Sequence, residues 1–293
     1  MTAFRLSACE SGSGALLRRG LQQAPVLRML DVSNNAELGS KGVEDLADGA
    51  QMMHMLHSLS TAHSGSGQAG VDAVASAVKS SRGLRDVDVG DPGADLDLNH
   101  LAESVQAASS QMHPWHGLGV TAQTTSGLGH LIDALTTSPG VYAAGDPVET
   151  RLGLDVVTLD QVAEHRLQHY LFEQGQGIAE LSLSYSNEVQ EPARFASAIM
   201  ACSGVRALTL GSNAGKLSTP ISFLAASSPS PSFPRLRDLT YNIPKATLGL
   251  DASMFCHALC GGETLETVTM TSADPDALPS AALWSAGDAW TAS

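Results

Sequence analysis

One phrase recurs along this chain: an apolar residue, two variable ones, a second apolar, one variable and a third apolar. It reads Leu27-x-x-Leu30-x-Val32, then Leu56-x-x-Leu59-x-Thr61, Leu84-x-x-Val87-x-Val89 and Trp115-x-x-Leu118-x-Val120. A shortened copy, Leu152-x-Leu154, precedes Ile178-x-x-Leu181-x-Leu183, Val205-x-x-Leu208-x-Leu210, Leu236-x-x-Leu239-x-Tyr241 and Leu265-x-x-Val268-x-Met270. Copies start about 27 to 34 residues apart, and a unit of that length cannot bury its apolar face alone. Such a chain has to stack its repeats on one another instead of closing around a single core.

The second half of each period changes character. A polar bend with Gly, Ser or Pro leads into apolar residues at helical spacing: Val43, Leu46, Ala47, Ala50; Val71, Val74, Ala75, Val78; Leu98, Leu101, Ala102, Val105; Leu128, Leu131, Ile132, Leu135. Phe195, Ala198, Ile199 and Phe255, Ala258, Leu259 give two later helices, and Asn99, Ser126 and Ser253 stand where N-caps belong. A more polar helix is expected over Gln161 to Gln174. Two spacers interrupt the period: Thr136 to Thr150, and the proline-rich stretch Ser227 to Pro234, which cannot continue a helix.

The fullest copy is Leu27-Arg28-Met29-Leu30-Asp31-Val32-Ser33-Asn34-Asn35, followed by Leu38-Gly39 and Gly42 to Ala47. From about Phe4 to Met270 the chain resembles the leucine-rich repeat family, and a full helix per period is similar to its ribonuclease-inhibitor-like class. The resemblance implies an α/β leucine-rich-repeat solenoid, a horseshoe with parallel strands on the concave face and helices on the convex face. Residues 1–270 would form about nine to ten repeats and residues 271–293 a C-terminal capping segment. It also implies that Asn35 caps backbone groups in the bend after its strand. Asn213 holds the same position, while Ser64, Pro92, Gln123 and Ser186 replace it elsewhere, so irregular bends are expected. The first strand, Phe4-x-Leu6, follows Met1 almost directly, so either a cap lies outside this sequence or another chain covers the N-terminal repeat.

Bulk properties narrow the partners. A formal charge of −14 argues against nucleic acid, whose binders carry a basic footprint. Four cysteines, Cys9, Cys202, Cys256 and Cys260, are too few and too scattered for a disulfide framework, and no secretory leader or membrane span is visible. The expectation is an intracellular, reducing compartment: cytoplasm, or a cytoskeletal or organellar complex.

Signals of chemistry are weak. His165 and His169 share a helix face as a zinc pair would, but no third ligand is adjacent. Asp86, Asp88, Asp91, Asp95 and Asp97 lack the spacing of a calcium loop and read as an exposed strand face plus a polar bend. Cys256 and Cys260, four apart on a helix, read as buried packing. No nucleophile elbow, phosphate loop or dinucleotide fingerprint occurs. The expectations are therefore no enzyme activity, no cofactor, no metal and no small-molecule substrate.

The variable positions of the phrase define three rows on the strands. The first holds Arg28, His57, Arg85, His116, Thr150, Ala179, Arg206, Arg237 and Glu266 and is partly basic. The second runs through Met29, Ser58, Asp86, Gly117, Arg151, Glu180, Ala207, Asp238 and Thr267. The third has Asp31, Ser60, Asp88, Gly119, Gly153, Ser182, Thr209, Thr240 and Thr269. Two accounts fit the charges: local pairing of Arg28 with Asp31 and of Arg85 with Asp86 or Asp88, or a patterned docking surface. Because aromatic anchors are nearly absent from the rows, Tyr142, Tyr185 and Phe233 are the candidate anchors. The partner-binding candidates are thus Arg28, Asp31, Arg85, Asp86, Asp88, Tyr142, Tyr185, Arg206, Arg237 and Asp238. The function expected is a protein-interaction scaffold, a structural subunit of a larger complex. The alternative is the recognition part of an adaptor, such as a ubiquitin-ligase substrate receptor or an immune or virulence protein.

Overall fold

Among the described residues each apolar phrase becomes a strand, and the helical segments from Gly39 to Met200 become helices between them. The computed structural model describes residues 3–6, 13–109, 115–137, 149–217, 220–221, 233–243 and 266–272. The chain divides into two compact units, Met1–Arg166 and Leu167–Ser293. The first holds β1 (Ala3–Arg5), α1 (Ser13–Gln22), β2 (Met29–Asp31), α2 (Gly39–Gln51), β3 (Ser58–Ser60), α3 (Gly67–Ser80) and β4 (Asp86–Gly90). It continues with β5 (Asp95–Asp97), α4 (Asn99–Ser109), β6 (Gly117–Ala122), β7 (Thr124–Ser126), α5 (Leu128–Thr136) and β8 (Thr150–Val156). The division falls within α6 (Gln161–Gln174). The second unit holds β9 (Ile178–Tyr185), α7 (Pro192–Met200), β10 (Ala207–Ser212), β11 (Asp238–Ile243) and β12 (Thr267–Ser272).

In the first unit the strands pair in the order β1-β2-β3-β4-β6-β8, and in the second β9-β10-β11-β12, every pairing parallel. The register is the one the repeats dictate: Leu30 lies beside Leu59, then Val87, Leu118 and Leu152. Leu181, Leu208, Leu239 and Val268 form the matching rung of the second unit. These side chains are buried, and so are the helix positions at 43, 46, 47 and 50 and their counterparts in α3, α4 and α5. Consecutive helices α1 to α5 pack side by side on one face of the sheet. The polar helix α6 has a buried edge as well, through Ala163, Leu167, Tyr170 and Leu171.

The bends are capped by different residues in successive repeats. Asn35, 3% exposed, donates its Nδ2 to the carbonyls of Leu6, Val32 and Ser33 at 2.8 to 3.0 Å, the role its position implied. Where Ser64 stands in the next copy, Asp91 of the following repeat supplies the cap, its carboxylate accepting from the amides of Gly65 and Gly67 at 2.8 Å. Gly65 has φ +69 and a Cβ there would sit 2.2 Å from the Ala36 carbonyl oxygen, so only glycine fits. Asp95 and Asp97 lie in a two-stranded pairing of β5 with β7 that the sequence read as a plain bend. Ser126 ends β7, and Gly127, not Ser126, occupies the N-cap of α5. Expected features at Ser253, Phe255 to Cys260 and the capping segment 271–293 lie outside the described residues, apart from the end of β12.

Replacing Asn35 by Ala removes the donor from three carbonyls, a buried loss of about 1–3 kcal/mol on the usual scale. Asn34, left-handed at φ 59 in the same bend, should accept glycine within about 0.5 kcal/mol. Urea unfolding of both variants checks the contrast.

Candidate interaction surface

Alternate side chains of a strand leave opposite faces. With the core on the helix side, the variable positions stand on the other face, and the pairings set their neighbours. Met29, Ser58, Asp86, Gly117 and Arg151 align in one row; Asp31, Ser60, Asp88, Gly119 and Gly153 align in the next. The second unit carries Glu180, Ala207, Asp238 and Thr267, and beside them Ser182, Thr209, Thr240 and Thr269. Ahead of these rows comes a column at the strand entrances. The amide of His57 donates to the Arg28 carbonyl, that of Arg85 to His57, and that of His116 to Arg85, at 2.7 to 2.9 Å. Arg206, Arg237 and Glu266 continue the same ladder within the second unit.

The ion pairs on this face differ from the local pairs expected. Asp31 bonds Arg5 of the preceding strand at 2.5 Å instead of Arg28, and accepts from the Ser33 amide and hydroxyl. Burial works to raise its pKa, but the Ser33 bonds and Arg5 outweigh it and hold the carboxyl below its ordinary value. Asp86 and Asp88 do not pair with Arg85 either. Arg151 reaches back from β8 across β6, placing Nη2 2.5 Å from Asp86 Oδ1 and Nη1 2.7 Å from Asp88 Oδ1. The intervening strand permits this because it presents glycines. A Cβ on Gly117 would lie 2.3 Å from Asp86 Oδ1, and one on Gly119 1.8 Å from Asp88 Oδ1. The three side chains are 22% to 30% exposed, so the acidic strand expected to face solvent is a half-buried clamp. Burial favours the neutral guanidine, yet Asp88 and Asp86 prevail and hold the Arg151 pKa above its ordinary value.

The column therefore keeps the charge of its two arginines. Arg28 is exposed; His57 is half-buried, with Nδ1 3.0 Å from the Gly83 carbonyl oxygen. Arg85 is half-buried and its Nε is enclosed without an acceptor. His116 is exposed yet partly shielded. That shielding and then Arg85 hold its pKa below 6.5, with Asp86 pulling the other way and His57 adding to the depression. In the second unit Arg206, Arg237 and Asp238 are exposed, and Arg237 lies 3.6 Å from Glu266.

The aromatic anchors fare differently. Tyr185 is 3% exposed at the end of β9, its ring stacked on Phe195 at 6.1 Å, so it packs the second unit instead of offering a contact. Phe233 is 1% exposed, and Tyr142 lies outside the described residues. His165 and His169 sit on the exposed side of α6, His169 3.4 Å from Glu173. Among the described residues no three His, Cys, Asp or Glu side chains gather to hold a metal, and no helix is long and apolar enough to cross a membrane. Cys202 is buried, which pushes its thiol pKa up to about 12 and leaves it without thiolate character.

No family model matches the sequence, and no curated protein matches it. Among solved structures, the chain is similar to one described as the complex of Rad7 and Elc1 in yeast. The identity is 11%, over 99% of this chain and 80% of that one, with a TM-score of 0.49.

Two outcomes follow from the clamp and the column. Arg151→Met and Gly119→Ala should each cost about 1–3 kcal/mol in urea unfolding, because each strands half-buried carboxylates. Gly153→Ala should be nearly silent, since its Cβ would meet nothing nearer than 3.7 Å. For His116 the folded pKa lies below the unfolded one, so the folded state resists protonation. Stability from this group is whole above pH 6.5 and is lost as pH falls through the lowered value. His116→Gln should flatten that acid-side decline in a pH series of thermal unfolding.

Proposed function

We propose that this chain is a non-catalytic leucine-rich-repeat scaffold that binds another protein on the open face of its strands, as a subunit of a larger complex. The observation that carries the reading is the parallel sheet of the first unit, on which the helices α1 to α5 pack along one face. Parallel sheets are ordinarily covered on both faces. Here the other face displays in-register variable positions, of which Met29, Ser58, Ser60, Asp86, Asp88 and Arg151 are half-buried or exposed, and in the second unit Glu180 and Asp238 are exposed likewise. Strand positions with a rigid backbone and freely variable side chains suit recognition, because register fixes their spacing while leaving their chemistry open.

The chemistry present on that face fits binding. The Arg151 clamp has its charges satisfied internally, which favours shape and charge display over proton transfer. Small side chains such as Ser58, Ser60, Ser182 and Thr209 make a low-relief surface, suited to a broad interface of many modest contacts.

The test is affinity purification of the tagged protein from its native cell, followed by size exclusion and mass spectrometry. A defined partner should co-elute, and the substitutions Ser60→Arg and Thr209→Arg should release it without lowering the unfolding midpoint. Elution alone as a folded 30.3 kDa chain would defeat the subunit reading.

A further inference from the structure

We infer that the column Arg28, His57, Arg85 and His116 docks an extended acidic segment of a partner protein, one whose carboxylates alternate with aliphatic side chains. This rests on the scaffold reading and names what one edge of that scaffold would hold.

Four observations converge. The column is continuous, since successive amide-to-carbonyl bonds join its four residues. With strands about 4.8 Å apart it spans about 14 Å, the reach of four to five extended residues at about 3.3 Å each. The nearby acids are committed elsewhere, Asp31 to Arg5 and both Asp86 and Asp88 to Arg151. Their carboxylates are thus held by cations on other strands and form no ion pair with Arg28 or Arg85. Arg28 is exposed and has no ion pair among the described residues, so its guanidinium is left for an incoming carboxylate.

The aliphatic requirement comes from the flank. Val26 and Met55 occupy the same position in consecutive repeats, two residues ahead of Arg28 and His57, and are 58% and 39% exposed. Met29, next to Arg28, is 44% exposed. A strip of apolar side chains beside two arginines matches a segment that carries both kinds of group. A nucleic acid fits less well. Its phosphates extend beyond a column of two arginines and two histidines into a protein of charge −14.

The probe is a fluorescein-labelled peptide of about ten residues alternating Glu with Leu, titrated against the full chain by fluorescence polarisation at low and physiological salt. The same peptide with Gln for Glu and a single-stranded oligonucleotide of equal charge serve as comparisons. Saturable binding of the acidic peptide is expected, weakening with salt and falling about tenfold in Arg28→Glu. Arg85→Gln should weaken it further, whereas Arg206→Glu in the second unit should leave it unchanged. Arg28 is exposed, so that variant keeps the test valid if the Arg85 change disturbs folding; thermal unfolding reports which case holds. Equal affinity for the Gln peptide, indifference to Arg28→Glu, or preference for the oligonucleotide would overturn the inference. A native partner retained by Arg28→Glu/Arg85→Gln would overturn it too and leave the scaffold standing. If no native partner exists the scaffold reading falls, and the peptide titration still decides the inference.

Discussion

The in-register parallel pairing of one repeat with the next is the constraint from which the rest of this structure follows. A strand of three to eight residues with one helix cannot shield its own leucines. Shielding comes from stacking, and stacking only works when Leu30, Leu59, Val87, Leu118 and Leu152 fall on one line. A slip of one residue would turn Asp86 and Asp88 into the core and Val87 out of it. The burial pattern of the strands is therefore also what fixes the neighbours on the other face. Whatever the open face recognises, its spacing is set by the core.

That coupling explains why several polar residues here act across repeats as well as within them. Asn35 holds the carbonyl of Leu6 from the preceding strand along with two of its own bend. Asp91 caps amides at Gly65 and Gly67 of the repeat before it, and Gln68 exchanges two hydrogen bonds with the backbone of Asp97 in the repeat after it. These bends are satisfied by different donors and acceptors, so the asparagine position can drift there without leaving the backbone unpaired. Arg151 does on the sheet what Asp91 does in the bends, and needs two glycines in between to do it.

Strands, helices and register were legible because each rests on periodic burial, which a sequence displays directly. The three rows read from the apolar phrase are the rows that the pairings align, down to the shortened copy at Leu152. The small pairing of β5 with β7 escaped notice because Asp95-Leu96-Asp97 and Thr124-Thr125-Ser126 offer too few apolar residues for a pattern. Charge partners were misread for a related reason. Local pairing looks to the nearest opposite charge in sequence, whereas Arg151 and Asp86 are 65 residues apart. The signal was nevertheless present: aligned by repeat, Asp86-x-Asp88, Gly117-x-Gly119 and Arg151-x-Gly153 state that two acids, a gap and a cation share one line. Tyr185 was misplaced because its position at a strand end does not say whether a partner such as Phe195 lies beneath it.

The charge balance of the whole chain sharpens the meaning of the basic column. At physiological salt the field of exposed charges decays over about 8 Å, so an anion meets the acidic average of this protein only where it comes close to the surface. Only a ligand that reaches the column feels Arg28 and Arg85 directly, because the acids beside them are turned toward Arg5 and Arg151. A long polyanion gains at the column and loses along the rest of its length. A short acidic stretch within an otherwise neutral or cationic partner gains at the column and loses nowhere. Net charge and local charge thus act as two filters in series, and the internal pairing of Asp31, Asp86 and Asp88 is what keeps the second filter from being cancelled by the protein's own acids.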